Sequence, residues 1–277
     1  MSASPRRLLR VAYDGADFAG WQLQADRATV QGELERALGG ILGEPVRVQG
    51  AGRTDAGVHA LAQAAHFDDP RGLPLARLRG ALNAALPASI RVLHADHVPA
   101  DFHALHDACR KTYAYQLHLS REPGGQRAVE HSVPPERRRH FHAVRADLDL
   151  LAMRRAAALL EGRHDFTVLS KAMPAGRSTL KHLGRVRVLR IPRGLRLVFH
   201  GEGFLYGMVR LASGLLVEVG RGRRRADDVP DLLASRDRAQ APASLPAHGL
   251  FLCRVDYPPE RLPDAASRVD ACYPDRT

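Results

Sequence analysis

The densest run of residues able to do chemistry is Gly52-Arg53-Thr54-Asp55-Ala56-Gly57-Val58-His59. It places one carboxylate on a short turn bracketed by two glycines. Missing side chains there let the backbone pass close to a bulky neighbour. Such an Asp can serve as a nucleophile, and it can equally be an Asx-turn residue that caps its own backbone. His59 closes the run and reads as a structural residue beneath it. Three other positions attract attention. Arg210 follows Leu205, Met208 and Val209 and precedes Leu211, and a guanidinium buried in apolar surroundings is costly unless paired. Tyr113, in Lys111-Thr112-Tyr113, sits in an alternating run and could stack on a ring or simply be a half-buried strand residue. Leu250 looks like any core leucine. His103-x-x-His106 and His140-x-His142 lack a convincing third ligand, so no metal site is expected. There is no P-loop and no dinucleotide fingerprint, so no cofactor is expected either.

Charge narrows the partners. The 277 residues carry 41 Lys+Arg against 30 Asp+Glu, a formal net charge of +11. Only Lys111, Lys171 and Lys181 are lysines, which leaves 38 arginines. An arginine-favouring base composition explains that bias as readily as function does. Clusters at Arg137–Arg139 and Arg221–Arg225 fit either a solvated basic surface or a footprint for a polyanion, since arginine grips phosphates through a bidentate fork. Hydrophobic content of 45% and charged content of 26% are globular values that exclude wholesale disorder and coiled coil. No apolar run approaches 18 residues, so no membrane span is expected. Cys109, Cys253 and Cys272 are odd in number without C-x-x-C spacing and read as thiols. With no apolar signal-like segment after Met1, the expected address is the cytoplasm.

These residues must be held by elements that the pattern also suggests. Residues 8–14 read as a strand, and Thr29 reads as the N-cap of a helix ending at Gly43-Glu44-Pro45. Val46 and Val48 alternate as a strand into the Gly50–Gly57 turn. Residues 59–67 form a strand, 74–86 a helix and 90–98 a strand. This β-α-β-β-α-β order is that of a split, ferredoxin-like (RRM-like) unit. A comparable series follows: a strand at 113–119, a helix at 147–161, strands at 184–191 and 195–200 joined by Pro-Arg-Gly, a helix at 204–219 and a strand at 248–256. Residues 120–142 read as a long surface loop and 257–277 as a surface-wrapping or disordered tail. The expectation is an α+β protein of two ferredoxin-like halves, 1–106 and 107–277, whose antiparallel sheets meet at a basic catalytic cleft.

Gly52–His59 resembles the signature of the TruA family of tRNA pseudouridine synthases. The similarity continues through Tyr13-Asp14-Gly15, Phe18-Ala19-Gly20-Trp21-Gln22, Thr29-Val30-Gln31, Asn83 with Leu86-Pro87, and Asp101-Phe102-His103-Ala104. Beyond them come Glu161–Phe166, Gly203–Arg210, Gly249–Leu252 and Val255-Asp256-Tyr257-Pro258, all in family order. The resemblance implies isomerisation of uridine to pseudouridine at positions 38–40 of the tRNA anticodon stem-loop. It makes Asp55 the nucleophile and Arg210 its ion-pair partner. Arg53 would enter the RNA and hold the base out, Tyr113 would stack on the uracil, and Leu250 would wall it. It also implies a cofactor-free homodimer. Leu105 and Leu211 stand where the family usually has Arg and Asn, and Arg177-Ser178-Thr179 stands for its Ser-Arg-Thr-like segment. A non-catalytic RNA binder on the same scaffold, or a related synthase with other target uridines, is the competing reading.

Overall fold

The computed structural model describes residues 5–122, 126–172 and 178–262; Met1, Arg177, Cys272 and residues 263–277 of the tail lie outside this set. The described chain divides into two compact units, one holding the residues up to Lys111 and those from Phe251 onward, the other Thr112–Leu250.

In the first unit, β1 (Arg6–Tyr13) is followed by α1 (Val30–Leu42), the two-residue β2 (Gln49–Gly50), β3 (His59–Asp68), α2 (Leu75–Ala85) and β4 (Ile90–Val98). β1 lies between β4 and β3, antiparallel to both, and β2 pairs antiparallel with β3. The helix α1 begins where the Thr29 hydroxyl accepts the Gly32 N–H, and stops at Gly43, whose φ of 75° supplies the left-handed cap. Its buried Val30, Leu34, Ala37, Leu38 and Leu42 recur at helical spacing. α2 is tied to β4 by Asn83, whose side chain donates to Val92 O (2.9 Å) and accepts from Val92 N (2.8 Å).

The expected strand at 46–48 is absent; only Gln49 and Gly50 join the sheet. The reason is local competition for the backbone. Val48 N–H donates to the Glu35 carboxylate (2.9 Å) and Val48 O accepts from Gln31 (3.1 Å), so helix side chains satisfy the groups a ladder would have used.

The second unit carries β5 (Arg110–Ser120), α3 (Gln126–His131), β6 (His142–Arg145), α4 (Leu150–Leu159), β7 (Gly162–Asp165), β8 (Leu180–Ile191), β9 (Gly194–Gly201), α5 (Met208–Gly220) and α6 (Val229–Ser235). Its strands run β5-β9-β8-β7, with β6 parallel to β5. β8 and β9 form a hairpin whose turn holds Arg193 at φ 57°. The last strand, β10 (Leu250–Asp256), crosses the division, and its Phe251 and Leu252 pair parallel with His59 and Ala60 of β3. The sequence expectation assigns everything after residue 106 to the second half, whereas Phe251 onward groups with the first unit.

Four further elements depart from expectation. The segment 120–142 contains α3, and Val129 and Val133 pack with Ala143 and Phe141 into a small apolar cluster. The helix expected from 204 begins at Met208, because Gly207 sits at φ 72° and breaks the run. β7 and α6 are short elements that the apolar pattern does not announce.

Two interior polar arrangements stabilise the first unit. Arg7 is 1% exposed and its Nε donates to the fully buried Asp69 at 3.1 Å. Asp69 also accepts the backbone N–H groups of Arg71, Gly72 and Leu73, each at 3.0 Å, while Arg7 reaches His97 and Leu73 O. Removing one partner leaves a buried charge uncompensated. Asp69→Ala should therefore lower unfolding stability by about 3–5 kcal/mol in urea titrations; a loss under 1 kcal/mol would contradict this assignment.

His66 is 3% exposed and its Nδ1 accepts the Ala104 N–H at 3.1 Å. Burial first, then neighbouring His103 and Arg6, lower its pKa to about 4. Between the ordinary value near 6.5 and that value, the unfolded chain takes up a proton that the folded chain refuses. Stability from the neutral ring is thus complete above pH 6.5 and drains away toward pH 4. His66→Gln should reduce the pH dependence of urea unfolding in that window, to which half-buried His142 also contributes, and an unchanged slope would refute it.

Candidate active site

The Gly52–His59 turn connects β2 to β3, and hydrogen bonds hold its backbone on both sides of Asp55. Ala51 N–H donates to Ala64 O (2.7 Å), and Gly52 O accepts from the fully buried Gln63 side chain (2.9 Å). Thr54 O accepts the Trp21 N–H (3.0 Å), and its hydroxyl bonds the Tyr13 phenol (2.8 Å). Burial holds that phenol's pKa well above the ordinary value, so it stays protonated. Val58 N–H closes the turn on Asp55 O at 3.1 Å, with Gly57 at φ 78°.

The turn is clasped from outside by glycines that have no room for a side chain. A Cβ on Gly15 would stand 1.9 Å from Val58 O, one on Gly20 2.6 Å from Thr54 O, and one on Gly50 2.5 Å from the Trp21 ring. Gly20 also has φ 103°, which L side chains rarely adopt. Asp14 accepts from Ala16 N–H and lies 3.1 Å from His59 Nδ1, which is itself 3.0 Å from Gly15 N. The His59 ring stacks on Phe251 with centroids 4.6 Å apart. The Tyr13–Gly15, Phe18–Gln22 and Gly52–His59 strings, separate in sequence, thus form one backbone-on-backbone lock. Asp55 emerges from it half-buried, with Arg53 exposed two residues earlier. Lys111 Nζ comes within 3.3 Å of the space a Gly52 Cβ would fill.

The second unit carries the remaining residues. Tyr113 on β5 is 8% exposed, and Phe204 meets it at 5.0 Å and 77°, an edge contact that fixes the ring. Arg210, in the first turn of α5, is half-buried; its Nε donates to Leu245 O at 2.7 Å and its own carbonyl accepts Leu245 N–H at 3.2 Å. Tyr115 is buried with its hydroxyl on Pro246 O (2.7 Å); burial raises its pKa and Arg210 opposes the rise. Leu250 is 6% exposed and the preceding Gly249 accommodates the Tyr115 ring, 2.7 Å from where a Cβ would stand. The structure therefore gathers Asp55 and Arg53 on one unit and Tyr113, Arg210 and Leu250 on the other.

Sequence reasoning misses the groups that orient these side chains: Tyr13, Gln63, Tyr115 and Phe204. Tyr13 and Phe204 lie within quoted motifs, but nothing in their spacing says that one binds Thr54 and the other braces Tyr113. Leu105 is 43% exposed and Leu211 5% exposed, so the two departures from the family pattern fall on a surface and in the interior respectively. His103 and His106 lie 4.2 Å apart, and His103 Nδ1 accepts the Leu105 and His106 N–H groups, a use of the ring that orders the chain locally.

The lock makes a contrast between two glycines. Gly20→Ala adds roughly 1–3 kcal/mol of strain and should lower Tm by about 3–10 °C. Gly40→Ala, on α1 with nothing within 4 Å, should hold or raise it. Equal shifts in the two variants would disprove the clasp.

A family model described as tRNA pseudouridine synthase matches residues 10–107 and 156–258. A tRNA pseudouridine synthase A of Solidesulfovibrio magneticus is 46% identical over 260 residues, covering 91% of both chains. Enzymes of the same name from Halalkalibacterium halodurans (43%, 88% of this chain and 89% of the relative) and Rhodopseudomonas palustris (42%, 91% and 99%) are similar. With the family model spanning both units, the chain belongs to the tRNA pseudouridine synthase family.

Proposed function

We propose that this chain is an isomerase that converts uridine to pseudouridine in tRNA, at positions 38–40 of the anticodon stem-loop. The observation that carries the reading is the family match over residues 10–107 and 156–258 together with a carboxylate presented by a turn held through backbone hydrogen bonds. The reaction breaks the N1–C1′ bond, rotates the uracil, forms C5–C1′ and releases the C5 proton. No electrons are gained or lost, so the chemistry asks for a nucleophilic oxygen, a held base and a place for one proton.

Asp55 supplies the oxygen. Arg210 supplies the compensating cation, its orientation supported by the bond from Nε to Leu245 O. The uridine must leave its stack, which costs a few kcal/mol. Arg53, exposed on the nucleophile turn, fills the gap, and Tyr113, braced by Phe204, stacks on the uracil and helps remove its C5 proton. Leu250 forms the apolar wall. We read both units as ferredoxin-like; the β4-β1-β3 order with β2 beside β3 supports this for the first. Two copies of the chain act together on one tRNA in the cytoplasm, where that substrate resides. No described helix is long and apolar enough to cross a membrane.

Asp55→Asn should bind tRNA with parental affinity yet release no tritium from tRNA labelled at uridine C5; comparable release would remove Asp55 from the mechanism. Arg210→Ala should lose most turnover, and a well-folded variant with parental rates would exclude Arg210. Binding should weaken steeply with salt, roughly 10³-fold between 50 and 200 mM if six phosphates are neutralised. Carbodiimide-dependent primer extension on tRNA from a deletion strain separates the alternatives. Loss of signal in the anticodon arm supports this reading, loss elsewhere a synthase with other targets, and no loss a binder without turnover.

A further inference from the structure

Among the described Phe, Trp and Tyr residues, Tyr206 alone is exposed, at 56%. It lies in the Gly203–Gly207 turn before α5, two residues after the Phe204 that braces Tyr113. More than half of this residue's surface is open to solvent, yet its backbone is held firmly. Tyr206 O accepts the Lys171 N–H at 2.9 Å, Met208 N–H returns to Leu205 O at 3.1 Å, and Gly207 is fixed at φ 72°. The Lys171 stem covers Gly207 so closely that a Cβ there would stand 2.7 Å from it. Lys181 flanks the other end, 3.9 Å from the space of a Gly203 Cβ. Arg238 donates to Lys171 O and adds a third cation at the same edge. Two of the chain's three lysines thus bracket one turn, in a sequence that otherwise uses arginine for positive charge.

We propose that Tyr206 is a second stacking platform, which holds a tRNA base neighbouring the target uridine while Lys171 and Lys181 engage the flanking phosphates. A solvent-facing ring on a fixed backbone beside point charges is the composition of a single-stranded nucleic-acid site: the π-face accepts any base and the ammonium groups follow the backbone. Holding the neighbour keeps the strand splayed after the target has left its stack, so Tyr206 acts as a positioning residue. The inference rests on tRNA being the substrate, and it names a contact additional to the uracil-binding Tyr113.

The test uses the full-length protein and unmodified tRNA, with filter binding and tritium release measured separately. Tyr206→Ala should raise both Kd and KM by about 5- to 100-fold, change kcat less, and leave the melting temperature within a degree or so. Tyr206→Trp should restore binding to within about threefold of the parent. Lys181→Gln should reduce the slope of log K against log salt by a little under one. A Tyr206→Ala variant that binds tRNA within twofold of the parent overturns the platform, as does a Trp variant no better than Ala. Should the parent bind tRNA yet release no tritium, the activity reading fails while the binding comparison still judges Tyr206.

Discussion

The first unit depends on a close approach of backbone to backbone that only glycine permits. Val58 O occupies the space where a Gly15 side chain would begin, and Thr54 O does the same at Gly20. That contact brings the Trp21 N–H onto Thr54 O and the Tyr13 hydroxyl onto the Thr54 side chain. The turn carrying Asp55 consequently has little conformational freedom left to lose when RNA arrives. Preorganisation of this kind serves the isomerisation proposed above, in which rate comes from placing one carboxylate against one sugar or base.

The second unit solves a different problem, that of keeping a cation and an aromatic ring oriented at the edge of an apolar interior. α5 is buried along most of its length, and Arg210 leaves its first turn with its Nε anchored on Leu245 O. Tyr113 gains a fixed ring plane from Phe204. Two lysine stems lie beside glycines of the turn that precedes α5, Lys171 at Gly207 and Lys181 at Gly203.

Much of this was legible from residue order. The limits of α1 follow from Thr29 and Gly43, and the strands at 59–67 and 90–98 from alternation and bounding turns. The chemical residues were legible only through resemblance, because a lone Asp between glycines is as often an Asx turn. What sequence could not reveal are interactions set by tertiary neighbours. Val46 and Val48 alternate like a strand, yet Gln31 and Glu35 of α1 take the hydrogen bonds at Val48. The 120–142 segment is rich in Pro, Gly and Arg, yet Val129 and Val133 find Ala143 and fold a small cluster. Gly207 breaks an apolar run that periodicity would continue back to 204. The pairing of Arg7 with Asp69 is equally silent, since the partners lie far apart in sequence and each resembles a surface charge.

If the turn fixes the carboxylate as tightly as its contacts indicate, reach should matter as much as charge. Asp55→Glu keeps the negative charge and lengthens the side chain by one methylene, so it isolates position from electrostatics. Quantifying pseudouridine formed in unmodified tRNA by this variant is the most direct measurement. The account predicts a rate lower by about 10²-fold or more, with tRNA affinity and melting temperature retained. A Glu variant that matches the parent rate would show that the backbone lock does not govern the chemistry.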